Sequence, residues 1–581
     1  MFAILYVTCY LLLLAPLHTN AGKDELSVLL AKMESDVIEL AKEVETVYKT
    51  RCTSAFQGCS QSNYDSCVSE FSNSTCHKSD EFINPNCSTS TDGKCASLIS
   101  YTESTVVLPT AIANGTDSNP TDPQVSLTPS QGKTRCPSQW LIILDSFLLY
   151  PSILVQVIES VCYSRSLEDY FIKKRNNDAG YWSSLVIESP TMFFGSQEGM
   201  FRIFPGRQWE KCGSFDPRLR PWYIAASSGP KNIILVLNTS GSMNGQRLEL
   251  LKKAAILVIE TLTVGDRVAI VPFASTSYGV IGDSDGRMLA ATKENRDYLV
   301  NAINGLKAIG GTNLYDALQS AFDTLDKTVA AELHVTCNSA ILFLTDGLME
   351  NPQGVNVTGQ NVIDLVSSRI NATMTSMGKP ILFFTYSISS DDEMNTFPKE
   401  LACSTEFGVW SKISEPKNII QSLTSYYRLF SLGLGNSKDN FTVWVDPYSF
   451  ATGGVNGSTV SAPVYDRSLS PPLLLGVVGI NFPLSAAYKA LGIDDPTALD
   501  QTVLASTAKC PTLNLTLCVL ESFRKLSVAG NESLCFAGNC SGDDFVQVEP
   551  IKCESVSDHP SNLWANTNVN GKNSYAVRIK I

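Results

Sequence analysis

Residues 238–242 have the clearest potential for chemistry in this chain, because they read Asn-Thr-Ser-Gly-Ser directly after an apolar run. Asn238 supplies a side-chain amide, while Ser240 and Ser242 supply two hydroxyl groups two residues apart. Such uncharged oxygens, together with carboxylates and water, suit a hard cation such as Mg2+. The segment has neither the spacing of a phosphate-binding loop nor the Gly-x-Ser-x-Gly pattern of a nucleophile elbow. It therefore favours cation binding over phosphate binding or nucleophilic catalysis.

The neighbouring elements place this segment at the end of a buried strand. Residues 232–237 are rich in Ile, Leu and Val without alternation, which is typical of a parallel strand buried on both faces. From Arg247 to Leu262, apolar residues recur at helical spacing. In an open α/β sheet, ligands bind beyond the carboxyl ends of the strands. Residues 238–242 are therefore predicted to lie at the ligand-binding edge of a sheet.

Apolar strands continue to alternate with amphipathic helices up to about residue 430. Further strands are predicted at 267–273, 339–345 and 380–386, with helices after 312, at 360–375 and at 416–430. This alternation predicts an α/β fold with a mostly parallel, doubly wound, Rossmann-like sheet. Cys337 and Cys403 are the cysteines of this region and could form a disulfide.

The serine segment resembles the metal-ion-dependent adhesion site of the von Willebrand factor A (VWA) family, which reads Asp-x-Ser-x-Ser, then a distant Thr and a distant Asp. Ser240 and Ser242 match the serines, Thr312 in GGTNLYDAL matches the threonine, and Asp346 in AILFLTDG matches the far aspartate. Asn238 stands where the family has its first aspartate. The resemblance implies that these five residues hold Mg2+ or Ca2+, with affinity weakened by the missing carboxylate. The alternative is a degenerate site that survives only as a strand-to-helix turn.

Patterns typical of antiparallel strands flank this region on both sides. Aromatic residues alternate with small ones before residue 228, and alternating strands with Gly and Pro turns follow Phe441. The two segments resemble the halves of a Cache domain, an extracellular α+β sensing module, split by an inserted VWA domain. With DPRLRPWY before the insert, roughly 180–490 resembles the alpha-2-delta auxiliary subunits of voltage-gated calcium channels.

The Cache resemblance implies a second, ligand-binding site. In amino-acid-binding members, the Arg and Trp of RPWY hold the ligand carboxylate, a Tyr packs on it, and an Asp holds its amino group. Arg220, Trp222 and Tyr448 match three of these positions, while Asn481 replaces the aspartate and is a poor partner for an ammonium group. The alternative is a structural arginine, with Arg220 stacked on Trp222 and paired with Asp216.

The whole chain divides into seven predicted segments. These are a signal peptide at 1–21, an N-terminal helix at 22–50, a Cys-rich disulfide module at 51–100, a linker and irregular region at 101–180, the first part of the Cache domain at 181–229, the VWA domain at 230–430, and the second part of the Cache domain with a C-terminal tail at 431–581. The apolar stripe of the helix could form a coiled-coil dimer or pack on its own protein. The six cysteines of the module favour disulfides over a zinc site.

The amino-acid composition indicates the cellular compartment of the protein and excludes some classes of partner. A net charge of −13 argues against binding to nucleic acid and against docking on anionic lipid through a basic patch. Eleven Asn-x-Ser/Thr sequons, and sixteen of the seventeen cysteines lying beyond the signal segment, indicate a secreted or peripheral cell-surface glycoprotein with disulfides. Trp140 to Val157 is interrupted by an aspartate and a proline, so no membrane span is predicted.

Two functions follow from these features. As a non-enzymatic extracellular binding protein, similar to a calcium-channel auxiliary subunit, the chain would engage a protein partner through the adhesion-type site. That partner would be a membrane channel or another cell-surface protein. Alternatively, as a Cache-type sensor, it would bind a small amino-acid-like ligand. Catalysis is disfavoured because His77, His334 and His559 stand outside any HExxH or triad-like pattern.

Overall fold

The computed structural model describes a large part of the chain. The described residues are 26–50, 99–102, 104–107, 160, 163–184, 191–207, 215–275, 279–334, 338–348, 357–391, 393–405, 408–413, 419–435, 441–450, 456–467, 472–483, 567–569 and 572–574. The predicted signal peptide, nearly all of the Cys-rich module, most of the C-terminal tail and Cys337 lie outside them. Cys403 is disulfide-bonded.

Strands and helices alternate through the middle of the described chain. The strands are β1 Ile99–Ser100, β2 Thr105–Val107, β3 Thr191–Ser196, β4 Phe201–Phe204, β5 Gly206–Arg207, β6 Lys231–Asn238, β7 Arg267–Phe273, β8 Leu289–Ala290, β9 Asn338–Thr345, β10 Ile381–Ser387, β11 Gly408–Lys412, β12 Val443–Ser449, β13 Asn456–Asp466, β14 Leu473–Phe482, β15 Thr567–Val569 and β16 Lys572–Ser574. The helices are α1 26–50, α2 Leu167–Ser184, α3 Pro221–Ser228, α4 Gln246–Thr261, α5 Lys293–Gly305, α6 Leu314–Ala330, α7 Gly359–Met377, α8 Thr396–Cys403 and α9 Ile419–Gly435.

One sheet has six strands in the order β11-β10-β9-β6-β7-β8. All neighbouring strands in it run parallel except β8, which pairs antiparallel with β7. Every residue of β6 is buried, as the unbroken apolar run predicts. Its side chains alternate between two cores: Ile233 and Leu235 pack with α4 and α9, whereas Ile234 and Val236 pack with α6 and α7. The predicted α/β architecture, with helices on both faces of a mostly parallel sheet, is confirmed.

A second six-stranded sheet has the order β12-β13-β14-β3-β4-β2, and all its neighbouring strands are antiparallel. Strand β3, which precedes the parallel sheet in sequence, pairs with β14, which follows it. The residues of the parallel sheet therefore lie, in sequence, between two strands that pair with each other in the antiparallel sheet. Helix α3 joins the two parts, since it contacts β12, β13 and β14 as well as α4 and α9.

Helix α1 covers one face of the antiparallel sheet. The apolar stripe read from the sequence is buried throughout and consists of Leu26, Leu30, Met33, Val37, Leu40, Val44 and Val47. It packs with α2 and with the sheet residues Phe194 and Val478. Glu34 also accepts a hydrogen bond from the Trp444 indole at 2.8 Å. The stripe therefore packs within its own chain rather than facing solvent.

Among the described residues, none of the helices has the length and apolar character needed to cross a membrane.

Candidate functional site

The predicted site forms where β6 and β9 end side by side. These parallel strands pair in register, with Leu237 opposite Leu344, so that Asn238 lies beside Thr345 and Asp346 follows at once. Parallel strands bring their carboxyl ends to one edge of a sheet, which is where ligands bind in open α/β folds. Two side chains 108 residues apart in sequence thereby become neighbours.

The Asn238 side-chain amide is fully buried, and its nitrogen donates hydrogen bonds while its oxygen accepts one. Its nitrogen Nδ2 donates to Asp346 Oδ1 at 3.0 Å and to Thr345 Oγ1 at 3.1 Å. Its oxygen Oδ1 accepts from the Ser240 backbone N–H at 2.9 Å, which turns the chain away from the strand. An aspartate at this position could accept the same backbone hydrogen bond but could not donate to Asp346.

The hydroxyl groups of the two serines are adjacent, and the loop that contains Gly310 is hydrogen-bonded to the serine segment. Ser240 Oγ and Ser242 Oγ are 2.9 Å apart. The Gly241 N–H donates to the Gly310 carbonyl at 2.8 Å, and Gly310 has φ +73°, a conformation that favours glycine. Thr312 is buried two residues further along this loop, just before α6. Within the described chain, its hydroxyl forms no hydrogen bond with either serine.

Arg247, in the first turn of α4, completes this group. Its Nη1 lies 3.4 Å from Asp346 Oδ2 and donates to the Ser242 carbonyl at 3.1 Å. The Asp346 side chain has no solvent exposure, whereas that of Arg247 is 36% exposed. Opposite unit charges about 4 Å apart attract by about 4 kcal/mol at an effective dielectric of about 20. Because the arginine is more than one-third exposed, solvent weakens this attraction, and Arg247 provides a partly screened counter-charge to the buried carboxylate.

Sequence reasoning treated Arg247 only as the start of a helix. The signal that could have identified it is its position, since a helix that follows a strand-end loop presents its first turn to that loop. The sequence could not show that the side chain reaches Asp346, because the aspartate lies 99 residues away.

As arranged, these side chains do not fit a divalent cation. Asp346 is the single carboxylate of the predicted set, and both of its oxygens already face N–H groups, from Asn238 and Arg247. The Mg2+ or Ca2+ site therefore stays a prediction, which this arrangement of donors disfavours.

The four residues of the predicted ligand site line one small, partly open pocket. Arg220 precedes α3, Trp222 lies within it, Tyr448 is on β12 and Asn481 is on β14. The remaining lining residues are apolar and are Phe193, Phe201, Ile203 and Phe215. None of these lining residues is acidic.

Arg220 is the only charged residue in the pocket lining, and its environment differs from the structural alternative. Its guanidinium lies 4.5 Å from the centroid of the Phe215 ring rather than pairing with Asp216. The Asp216 carboxylate instead pairs with Arg218, whose Nη2 lies 2.6 Å from Oδ2. Arg220 Nε is buried without a hydrogen-bonding partner. Burial lowers the pKa of Arg220, and nearby Tyr448 and Asp216 partly offset this effect.

A threonine that sequence reasoning missed links two of the pocket residues. Thr459 Oγ1 lies 2.8 Å from Asn481 Oδ1, to which it donates, and 2.7 Å from the Tyr448 hydroxyl. Because the threonine proton is used on Asn481, Tyr448 donates to Thr459. Burial raises the pKa of Tyr448, so its hydroxyl is a neutral donor at physiological pH. Thr459 lies on β13, between the strands β12 and β14 that carry its two partners. The sequence could not identify this contact, because it depends on the register of the three strands.

Comparisons with known proteins agree with the parallel-sheet region. A model of the von Willebrand factor type A domain matches residues 233–348. The chain is 26% identical over 347 residues to the voltage-dependent calcium channel subunit alpha-2/delta-3 of Rattus norvegicus, a match that covers 58% of this chain and 30% of that protein. It is 26% identical over 350 residues to alpha-2/delta-4 of Homo sapiens, covering 57% and 28%.

A third relative is the voltage-dependent calcium channel protein unc-36 of Caenorhabditis elegans, which is 25% identical over 280 residues and matches 42% of this chain and 22% of its own length. The chain thus spans less than a third of the length of these three relatives. The matched domain and these similarities together identify a VWA domain protein that resembles the alpha-2/delta subunits of voltage-dependent calcium channels.

Proposed function

We propose that this chain is a non-enzymatic, extracellular binding protein that engages a protein partner through the carboxyl edge of its VWA sheet. One observation carries the proposal: Asn238, Ser240, Ser242 and Asp346, predicted from a motif that is dispersed in sequence, lie within one hydrogen-bonded group. The names of the relatives suggest the class of partner, which we infer to be a voltage-dependent calcium channel or another cell-surface protein.

The surface around this group has the chemistry of a protein-binding site. Ile309 is 52% exposed, and its N–H is bonded to the Thr239 carbonyl at 2.9 Å beside the serine loop. Arg247 and Ser242 are partly exposed in the same loop region. Protein interfaces commonly combine apolar side chains with arginine. We name the surface formed by Ser242, Arg247 and Ile309 the binding edge.

We further infer the wider organisation of the chain. The antiparallel sheet, interrupted in sequence by the VWA domain, is proposed to be a Cache domain with parts at 181–229 and 431–581. The predicted signal peptide at 1–21, the predicted disulfide module at 51–100 and the sequons support export to an oxidising compartment. Secretion would place the binding edge where the ectodomain of a membrane channel can reach it.

Loss of the exposed apolar side chain of the binding edge should weaken partner binding. We expect Ile309→Asp to reduce binding to cells that express the pore-forming subunit of a voltage-dependent calcium channel by about tenfold or more, because the introduced charge must be desolvated in the interface. The measurement is the dose-dependent binding of purified chain, scored against mock-transfected cells.

Tyr298→Asp is the matched control, because Tyr298 is also 52% exposed but lies within α5. It should bind like the wild type. Equal binding by the Ile309 variant and the control would refute the role of the binding edge. A wild-type chain that binds no better than it does to mock-transfected cells would refute the inferred class of partner.

A second function, the sensing of a small ligand, is supported by the buried and unpartnered Arg220 Nε in an aromatic pocket. A guanidinium can grip a carboxylate through two parallel hydrogen bonds. The position that would hold an amino group carries the neutral Asn481, and its oxygen already accepts from Thr459. The pocket therefore suits a small apolar carboxylate better than the corresponding amino acid.

Calorimetry with matched ligands tests this second function. We expect 4-methylpentanoate to bind at least tenfold more tightly than leucine, because nothing in the pocket lining compensates a buried ammonium group. Arg220→Gln should abolish the binding heat, while Arg467→Gln, which alters a side chain 48% exposed, should preserve it. Asn481→Asp should shift preference towards leucine. Binding of the carboxylate by Arg220→Gln with wild-type affinity would contradict the assignment.

A further inference from the structure

We propose that Arg247 is a built-in cation of the binding edge, so that this edge binds a carboxylate of its partner without a divalent metal ion. The recognition of a partner carboxylate rests on the proposed function. The replacement of the metal charge by a guanidinium rests on this chain alone and is tested without a partner.

The charges of the group are balanced as they stand. Asp346 contributes one negative charge and Arg247 one positive charge, while Asn238 and the serines are neutral. A divalent cation added here would leave the group with a formal charge of +2 while Arg247 remained in place. Such an excess of positive charge is unfavourable in a group whose carboxylate is fully buried and whose Ser240 hydroxyl is buried as well.

The Arg247 guanidinium is accessible to a group that approaches from a partner. It is the solvent-accessible member of the pair, because the arginine side chain is 36% exposed and the aspartate side chain 0% exposed. A group approaching from a partner therefore meets Arg247 before it meets Asp346. Nη1 serves both Asp346 and the Ser242 carbonyl, while Nη2 makes only a long contact of 3.7 Å to Met394 Sδ. Among the described residues, Nε–H has no acceptor, so donors remain for an incoming carboxylate.

The Asn238 side-chain amide is oriented for a site without a metal. Nδ2 donates to Asp346 Oδ1, so this nitrogen presents hydrogens where a cation would require oxygen. The loss of one acidic side chain and the placement of an arginine thus act in the same direction. Each reduces the need for an added positive charge, and together they leave a neutral, hydrogen-bonded group.

Thermal unfolding in EDTA and in millimolar Mg2+ tests the proposal. The wild-type Tm should be the same in both conditions. Arg247→Gln should lower the Tm in EDTA, since Asp346 loses its counter-charge, and Mg2+ should then raise the Tm by about 2–4 °C as the ion takes the vacated position. Arg247→Lys retains the charge and should remain insensitive to Mg2+.

Arg369→Gln is the control, because Arg369 also bridges two carboxylates, those of Asp323 and Asp326, but on the outer surface of α6 and α7. It should show no response to Mg2+ beyond that of the wild type. A wild-type Tm that Mg2+ raises as much as that of Arg247→Gln would overturn the proposal. So would an Arg247→Gln variant that Mg2+ leaves unchanged. If Arg247→Gln does not fold in EDTA, its recovery in Mg2+ but not in choline chloride supports the proposal, and failure to recover contradicts it.

Discussion

Replacement of Asp266 by alanine should lower the free energy of unfolding by about 3–5 kcal/mol, since it leaves a buried charge unpaired. Lys231 begins the central strand β6 with its side chain fully buried, and its Nζ lies 3.1 Å from Asp266 Oδ1. The same carboxylate accepts from the backbone N–H groups of Lys231, at 3.0 Å, and Thr263, at 2.7 Å. The Thr263 hydroxyl also donates to it at 3.2 Å, so alanine would remove the counter-charge and the acceptor of four hydrogen bonds at once.

The double variant Lys231→Met/Asp266→Asn separates charge from hydrogen bonding. It removes both charges and keeps an acceptor oxygen for one of the two backbone N–H groups, so we expect it to lose less stability than Asp266→Ala does. Asp297→Ala is the control, because its pair with Lys293 on α5 is largely exposed and should contribute less than about 1 kcal/mol. Urea unfolding of the purified variants measures all three. Equal losses for Asp266→Ala and Asp297→Ala would show that the buried pair has no special role.

The double variant Asn238→Asp/Arg247→Gln should bind Mg2+ at least about one hundredfold more tightly than the wild type. A carboxylate about 5 Å from a divalent ion contributes roughly 3 kcal/mol per unit of cation charge at an effective dielectric of about 20, before screening. The variant adds such a carboxylate and also removes the competing guanidinium. Calorimetric titration with Mg2+ provides the affinities.

Asn244→Asp/Arg247→Gln is the matched control for this gain. Asn244 is exposed in the same loop, so the control has the same net charge without a new carboxylate beside Asp346. Its Mg2+ affinity should exceed that of Arg247→Gln by less than about tenfold, because water and salt screen the exposed charge. If the two double variants bind Mg2+ equally, the loop is not a coordination site and the adhesion-type interpretation of Asn238 is wrong.

The sequence predicts those features of the site that depend only on where the strands end. The apolar run before Asn238 and the one before Asp346 both predict buried parallel strands, and parallel neighbours bring their carboxyl ends together. The contacts between Asn238, Ser240, Ser242 and Asp346 are consistent with that argument. The apolar stripe of α1 likewise predicts burial, although it could not identify the antiparallel sheet as the surface that the helix covers.

Contacts that depend on side-chain direction could not be predicted. The sequence left two alternatives for Arg220, a ligand-binding arginine or a structural one paired with Asp216. Arg218 pairs with that carboxylate instead, because it lies in the same 3-10 turn that Asp216 caps. The Arg220 guanidinium instead lies over the Phe215 ring. The contact between Arg247 and Asp346 and the amide direction of Asn238 have the same cause. Both depend on which N–H donors come close to the Asp346 carboxylate once strands distant in sequence are paired in register.

Anomalous diffraction from crystals of the wild-type chain soaked in Mn2+ tests most directly whether the binding edge works without a divalent cation. The expected result is no anomalous peak within coordination distance of Ser240, Ser242 or Asp346, with the Arg247 guanidinium beside the Asp346 carboxylate. Crystals of Asn238→Asp/Arg247→Gln, treated in the same way, should show a peak there and thereby confirm access to the site. A wild-type peak ligated by both serines and Asp346, with Arg247 turned away, would contradict the account.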